Sequence, residues 1–114
     1  MTYNLDLEYR IDILIPRLGV ITKKKMFGGI GYLMNGNMCF GIHKEYLIIR
    51  TTEGKAQALL KSEYIKPFDI TGKPMKGWLM VSPDYVETED QLLKMLKLGI
   101  NFVENIPKIN IKKN

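Results

Sequence analysis

The sequence contains one cysteine and one histidine, Cys39 and His43, which lie four residues apart in an apolar segment. If that segment is a strand, the spacing puts both side chains on one face. A thiol and an imidazole together can bind a metal or act as nucleophile and base. A structural metal site takes about four ligands, however, and the chain offers no other cysteine or histidine. We therefore expect small packed side chains here, and no metal site, cofactor or catalytic residue.

Two glycine-containing segments resemble nucleotide-binding loops only in part. Phe27-Gly-Gly-Ile-Gly31 contains Gly-x-Gly, but the third glycine of a dinucleotide loop is missing and a strand-like segment follows. Gly72-Lys73-Pro74 lacks the serine or threonine with which a phosphate-binding loop holds magnesium. Both segments are typical of turns that need a permissive backbone.

Positive charge is concentrated in two lysine clusters. The formal net charge is +5, and it comes from the run Lys23-Lys24-Lys25 and from three lysines in residues 107–114. Lysine clusters contact phosphates in nucleic-acid-binding proteins, but a short run is more often a solvated surface. We expect solvated lysines; the alternative is weak nucleic-acid binding by Lys23–Lys25 and the tail. Further candidates for contacts with a partner or a nucleic acid are Lys73, Lys76 and Trp78.

Composition indicates the class of protein. The chain has 114 residues, of which 46% are hydrophobic and 25% charged, as in an ordinary globular domain. We expect one domain over residues 1–106 and a basic, flexible tail over residues 107–114. A single cysteine excludes an internal disulfide and favours the reducing cytoplasm. No apolar run approaches the ~18 residues of a membrane span, so we expect no membrane association.

The first segment fits two structures. Residues 5–13 alternate between apolar and polar side chains, as a strand does, whereas Leu7 and Ile11 begin a series that falls on one helical face. Asp6 is a suitable N-cap for such a helix, but Pro16 would clash with a carbonyl of its last turn. The pattern alone leaves both structures open.

The middle of the chain predicts an antiparallel meander. Asn35-Gly36 separates two apolar runs, residues 31–34 and 37–42, and this pair is the strongest short hairpin signal because both residues accept positive φ. A strand at 24–27 precedes the hairpin, and a second turn leads to a strand at 46–50. These signals predict three or four antiparallel strands.

Helix caps mark the second half of the chain. Thr52 and Thr88 are predicted N-caps, and Gln91 completes a capping box at the second. The predicted elements are a short helix after Thr52, a loop with Pro67, a turn at 71–74, a strand at 77–82 and a helix from Thr88 to about residue 104. A run of antiparallel strands with helices outside it predicts an α+β domain of two layers.

The final helix is apolar over more of its circumference than one sheet can cover. Its apolar residues spread over about 220°, whereas a stripe of roughly 100° is enough to pack on a sheet. Another helix of the chain or a second copy must cover the surplus. We therefore expect a homodimer with Leu98 and Phe102 as candidate contacts; the alternative is cover by the first helix.

Taken in order, several motifs resemble one known family. They are Lys25-Met-Phe-Gly-Gly-Ile-Gly-Tyr32, the Asn-Gly hairpin into Met38-Cys-Phe-Gly-Ile42, Tyr46-Leu-Ile-Ile49, Pro67-Phe68, Gly72-Lys-Pro-Met75 and the strand Trp78–Val81 before Pro83. Over residues 7–104 the chain resembles the N-terminal domain of the TfoX/Sxy competence regulators. The resemblance implies an α-β(3)-α-β(2)-α domain with a mostly antiparallel sheet, similar to secretion-chaperone-like folds. It also implies that residues 7–18 form the first helix.

The same resemblance implies a function. Full-length members of the family regulate genes for DNA uptake, alongside the cyclic-AMP receptor protein, and carry a second, C-terminal domain. Their N-terminal domain has no established catalytic residues to carry over. We therefore expect a non-enzymatic regulatory or protein-interaction domain whose partner is a transcription factor or another protein. The alternatives are a nucleic-acid-binding module and a small enzyme.

Overall fold

A computed structural model of the chain describes residues 3–26, 28–69 and 75–106. Phe27, the predicted turn at 71–74 with Lys73, and the predicted tail at 107–114 lie outside these residues. The described elements, in chain order, are α1 (Leu5–Leu14), β1 (Thr22–Met26), β2 (Gly29–Met34), β3 (Asn37–His43), β4 (Tyr46–Arg50), α2 (Glu53–Leu59), β5 (Ile65–Pro67), β6 (Trp78–Val81) and α3 (Glu89–Asn105). None of the helices among them has the length and apolar content to span a bilayer.

The first segment is a helix, not a strand. Its N-cap is Asn4, whose Oδ1 accepts the backbone N–H of Leu7 at 3.0 Å, so the prediction of Asp6 as the cap was wrong. Asp6 lies instead in the first turn, where its charge favours the helix dipole. Pro16 is tolerated because α1 ends at Leu14 and a 3-10 turn takes over.

The strands form one antiparallel sheet in the order β1-β2-β3-β4-β6-β5, which confirms the α+β class. The predicted hairpin joins β2 and β3, with φ of 54° at Asn35 and 81° at Gly36, as a type I′ turn requires. Thr52 and Thr88 cap α2 and α3 as expected. The predicted loop around Pro67 contains a three-residue edge strand, β5, and an edge is where a sheet tolerates proline.

The main core lies between one face of the sheet and the helices. Alternate strand residues pack with the inward side chains of α1 and α3 in one buried cluster. Its members from the sheet include Ile30, Tyr32, Phe40, Ile42, Leu47, Ile49, Leu79 and Val81, and those from the helices include Leu7, Ile11, Leu14, Leu92, Leu96, Ile100 and Val103. On the opposite face, Ile48 and Phe68 are also buried but lie outside that cluster.

A β-bulge separates the two residues that the sequence placed on one face. Tyr32 pairs with Phe40 and Leu33 pairs with Met38, so Cys39 is the extra residue of β3. Its backbone meets α3 at Gly99, where an added Cβ would overlap the Cys39 carbonyl. His43 packs edge-on against Phe68 on the other face, with 5.6 Å between the ring centroids. The expectation of a shared face was wrong because the bulge interrupts the alternation.

The surplus apolar surface of α3 is partly covered within the chain. Six of its apolar side chains are buried, and Leu98 and Phe102 are half-buried. Leu98 shares a groove with Leu59 of α2 and with Tyr85 of the 3-10 turn that precedes α3. Helix α2 therefore covers part of the apolar surface of α3 that the sequence analysis expected a second copy of the chain to cover.

Candidate functional site

The lysine run lies on β1, which is an edge strand. Alternation along the strand sends Lys23 and Lys25 to one face and Lys24 to the other. Lys23 points toward α1, where its Nζ lies 2.6 Å from Glu8 Oε2 and 2.9 Å from Asp12 Oδ2. The hydrogen bond to Glu8 raises the pKa of Lys23 above its ordinary value. Two carboxylates thus compensate the first charge of the run.

The carboxylate of Asp12 connects this ion pair to the core. The hydroxyl of the buried Tyr32 donates to Asp12 Oδ1 at 2.9 Å, and the Lys23 Nζ lies 5.9 Å from the centre of the Tyr32 ring. Burial, and next the hydrogen bond to Asp12, raise the pKa of Tyr32 far above its ordinary value. Lys23 therefore belongs to a network that holds α1 on the sheet.

Lys24 and Lys25 are both exposed, and neither forms an ion pair with another residue that the structure describes. Because they point to opposite faces of the strand, they do not form one flat positive surface. A phosphate backbone could therefore contact Lys24 or Lys25 as separate cations, but not as one continuous positive surface.

A second cationic side chain lies on the central strand β4. Arg50 ends β4 and is paired in register with Trp78 at the start of β6. Its guanidinium carbon lies 5.1 Å from the centre of the Trp78 ring and 4.9 Å from that of Phe102. Both distances fall within the ~6 Å of a cation–π contact. Arg50 therefore brings together two residues that the sequence had singled out separately.

The guanidinium of Arg50 has two aromatic neighbours and no ion-pair partner in the part of the chain that the structure describes. No ion pair or hydrogen bond joins it to any residue within 3–26, 28–69 and 75–106. An arginine carries five N–H donors in a fixed fork that matches a carboxylate or phosphate. The stacked guanidinium is thus held in place while its donors remain available to a ligand.

The other described candidates belong to the segments that carry the two rings, because Lys76 lies two residues before Trp78 and Leu98 lies one helical turn before Phe102. Trp78 also contacts Phe68, at 6.5 Å between ring centroids. Lys76 lies 3.6 Å from Glu53 Oε2, with both side chains largely exposed, so this pair holds the lysine only loosely. Phe102 and Leu98 line a groove of about 150 Å³ next to the start of α2. Its other lining residues are Thr51, Thr52, Lys55, Asn101, Asn105 and Ile106.

The thiol of Cys39 is unsuited to catalysis. It is fully buried, and its Sγ donates to the Tyr32 carbonyl at 3.3 Å. Burial raises the pKa of Cys39 to about 11, although the nearby charge of Arg50 acts in the opposite direction. A nucleophilic cysteine needs a depressed pKa and access to substrate. Cys39 therefore has the chemistry of a core residue.

The family model of the TfoX N-terminal domain matches residues 13–103. The chain belongs to this family. Among curated proteins, none matches the chain significantly. In this TfoX N-terminal domain the match extends from the last turn of α1 to the last turn of α3, and it includes all the strands described above. It therefore contains both Lys23 and Arg50.

Sequence reasoning missed Arg50, the central residue of the candidate site in this TfoX N-terminal domain. A single arginine after an apolar run gives no signal by itself, because its neighbours depend on the pairing of β4 with β6 and on where α3 crosses the sheet. The available signal was indirect. Trp78 begins a predicted strand, and an arginine at the end of another strand is a candidate to stack on it.

Proposed function

We propose that this TfoX N-terminal domain is a non-enzymatic regulatory domain that binds another protein. The binding site is the Arg50 surface, defined as Arg50, Lys76, Trp78, Leu98 and Phe102. The observation that carries the proposal is the Arg50 guanidinium, which lies on two aromatic rings with no carboxylate among the described residues.

The residue types of the Arg50 surface support a protein partner. Tryptophan, tyrosine and arginine dominate the energetic centres of protein interfaces. Here a half-buried tryptophan and phenylalanine fix an arginine at the surface, which reduces the entropy lost when it binds. The partner would present an aspartate or glutamate to the guanidinium fork. A transcription factor with an exposed acidic side chain fits the regulatory role implied by the resemblance.

Quantitative affinity capture from the source cells tests this proposal. The tagged wild-type chain should enrich a partner that Arg50→Ala and Trp78→Ala lose by at least tenfold. Arg17→Ala is the matched control, because Arg17 is an exposed arginine that pairs with Glu89 elsewhere on the surface. A partner that Arg50→Ala retains, or that Arg17→Ala loses equally, would refute the assignment of the surface.

A nucleic-acid-binding module remains the second candidate, supported by the exposure of Lys24 and Lys25 on the edge strand. In that case DNA retention should fall steeply as salt rises, and Lys24→Ala with Lys25→Ala should reduce it. Binding that is absent even at low salt would remove this candidate.

We also keep the proposal of a cytoplasmic homodimer with Leu98 and Phe102 as contacts. Both side chains belong to the Arg50 surface, so a dimer formed there would compete with the protein partner. Light scattering with and without the captured partner measures this competition. A dimer that persists unchanged when the partner is bound would place the dimer contacts elsewhere.

A further inference from the structure

Helix α1 carries two apolar stripes on opposite sides. Leu7, Ile11 and Leu14 are buried in the core. The outer stripe, which consists of Leu5, Tyr9 and Ile13, is 53%, 68% and 55% exposed. At 100° per residue the centres of the two stripes lie roughly 170° apart. The outer stripe therefore points directly away from the sheet.

The outer stripe is the main concentration of exposed apolar side chains in the described residues. Only five large hydrophobic side chains there are strongly exposed, and three of them form this stripe. The other two, Val20 and Tyr64, lie outside α1. Scattered apolar residues are normal on a protein surface, whereas an aligned group marks a contact surface.

We propose that the outer stripe binds the outer stripe of a second copy of this chain. The two α1 helices pack antiparallel about a two-fold axis at Tyr9, so that Leu5 of each copy meets Ile13 of the other. Residues spaced by four form a ridge along a helix, and two such ridges interlock at a crossing angle of about −50°. This inference does not depend on the Arg50 surface, which lies elsewhere in the fold.

Charges beside the outer stripe are complementary under this symmetry. Asp6 and Arg10 lie on the same flank of the stripe and on opposite sides of Tyr9 along the axis. The two-fold axis therefore brings Asp6 of each copy near Arg10 of the other, and the two Arg10 side chains lie next to each other between the two aspartates. Asp6 has no ion pair in the described part of the chain. Arg10 is fixed by hydrogen bonds from Nη2 to the carbonyls of Val86 and Glu87, and its other N–H groups remain donors.

The opposite flank is acidic, but its repulsion is reduced. It carries Glu8 and Asp12, and under the same symmetry this flank faces its own copy. Lys23 contacts both carboxylates within each chain, at 2.6 and 2.9 Å, and offsets one of their two negative charges. The network that holds α1 on the sheet therefore also lowers the repulsion that this flank exerts on a second α1.

Edge-to-edge pairing of the sheet is a poorer arrangement for the second copy. Antiparallel pairing of two β1 strands about Lys24 would place lysines of the two copies opposite one another. Like charges in that position destabilise a pair, and lysines on an edge strand are a common defence against such pairing. These charges favour α1 over β1 as the contact.

The size of the contact predicts a weak, reversible dimer. A helix of ten residues spans only ~15 Å, and its outer stripe buries less than the ~800 Å² per partner of a standard interface. We expect a dissociation constant on the order of tens of micromolar.

Sedimentation equilibrium from about 1 to 500 µM, a range that brackets that constant, tests the proposal on the full chain. Tyr9→Glu should raise the dissociation constant at least tenfold. Val20→Glu is the matched control, because Val20 is even more exposed and lies outside the stripe; it should change the constant less than twofold. Leu98→Glu should also leave it unchanged, which separates this dimer from one at the Arg50 surface. A monomer at every concentration, or a dimer that Tyr9→Glu does not weaken, would overturn the proposal.

Disulfide cross-linking provides an independent test. A two-fold axis at residue 9 places the two Tyr9→Cys side chains together, so mild oxidation should link the copies several times faster than it links Val20→Cys. The native Cys39 is buried and does not interfere. Asp6→Lys should weaken the dimer more at low salt than Glu63→Lys, which makes the same charge change on an exposed residue elsewhere. Equal cross-linking of the two cysteine variants would contradict the two-fold arrangement.

Discussion

Lys23 and Arg50 are both cations that lie over aromatic rings, yet the fold gives them opposite surroundings. Lys23 lies 5.9 Å from the centre of the Tyr32 ring and within 3 Å of two carboxylates. Arg50 lies 5.1 and 4.9 Å from two ring centres, and no carboxylate pairs with it among the described residues. The first cation is used within the chain, whereas the second keeps its hydrogen-bonding capacity for a ligand.

The contrast shows why a count of charges along the sequence is a poor guide to a binding surface. Three consecutive lysines raised the alternative of a nucleic-acid-binding surface, but α1 supplies acceptors to the first of them. The sequence analysis did not single out Arg50, although the rings of Trp78 and Phe102 position its guanidinium without accepting its N–H hydrogen bonds. The number of acceptors that the fold brings to a cation decides which role it has.

Asp12 should show the largest effect on stability. Asp12→Ala removes the acceptor of the buried Tyr32 hydroxyl and one partner of Lys23, so the free energy of unfolding should fall by about 2 kcal/mol. Urea denaturation at neutral pH measures the loss. Glu53→Ala, which removes the partner of the exposed Lys76, is the control and should cost less than about 0.5 kcal/mol. Equal losses would show that the Lys23 network is as dispensable as a surface ion pair.

Arg50 should matter much less to stability than Asp12. Arg50→Met keeps an unbranched side chain near the rings of Trp78 and Phe102 but removes the charge and the N–H donors. No described hydrogen-bond acceptor loses its donor, so the free energy of unfolding should fall by less than about 1 kcal/mol, the size of an exposed cation–π contact. The same urea titration applies. A loss as large as that of Asp12→Ala would make Arg50 a structural residue.

At alkaline pH the Lys23 network, but not Arg50, should change the free energy of unfolding. The pKa values of Lys23 and Tyr32 are both raised in the folded protein, so the unfolded chain releases these protons first as pH rises. Their contribution to stability is complete below about pH 10 and declines above it. The double variant Lys23→Met with Tyr32→Phe should flatten that decline.

Two controls complete the pH comparison. The variant Lys24→Met with Tyr64→Phe changes the same residue types at exposed positions, and it should leave the decline unchanged. Arg50→Met should do the same, because arginine stays protonated throughout this range. Identical pH profiles for the two double variants would refute the role assigned to the Lys23 network.

The smallest effect is expected at Cys39. Burial holds its pKa at about 11, so at pH 8 the folded protein should resist iodoacetamide for hours, and the denatured protein should react within minutes. Arg50→Met should not accelerate the reaction. Rapid labelling of the native chain would show that the Cys39 thiol is accessible and would contradict its assignment as a core residue.

Local signals in the sequence predicted much of the fold. Asn35-Gly36 specified its turn, and Thr52 and Thr88 specified helix starts, because each of these signals acts within a few residues. Asp6 was wrong as a cap because Asn4, two residues earlier, offers an oxygen that reaches the same helix end. The bulge at Cys39 gave no signal at all.

The candidate site was less predictable because it depends on contacts between distant residues. Lys76 and Trp78 are close in sequence, but their relation to Phe102 requires the sheet order and the position of α3. The carboxylates beside Lys23 belong to a helix whose very existence the pattern left open. Lys73 lies outside the described residues, so its role stays a prediction.

Gly99 has a consequence for the order in which the chain folds. A glycine inside a helix lowers helix stability by about 1 kcal/mol relative to alanine, so α3 alone is a poorer helix than its leucines suggest. Glycine at this position allows the α3 backbone to lie close to the Cys39 carbonyl. That contact can form only after β3 has formed. We therefore expect the β2–β3 hairpin, with its short loop, to form before α3 docks. Substitutions on α3 should then accelerate unfolding more than they slow folding.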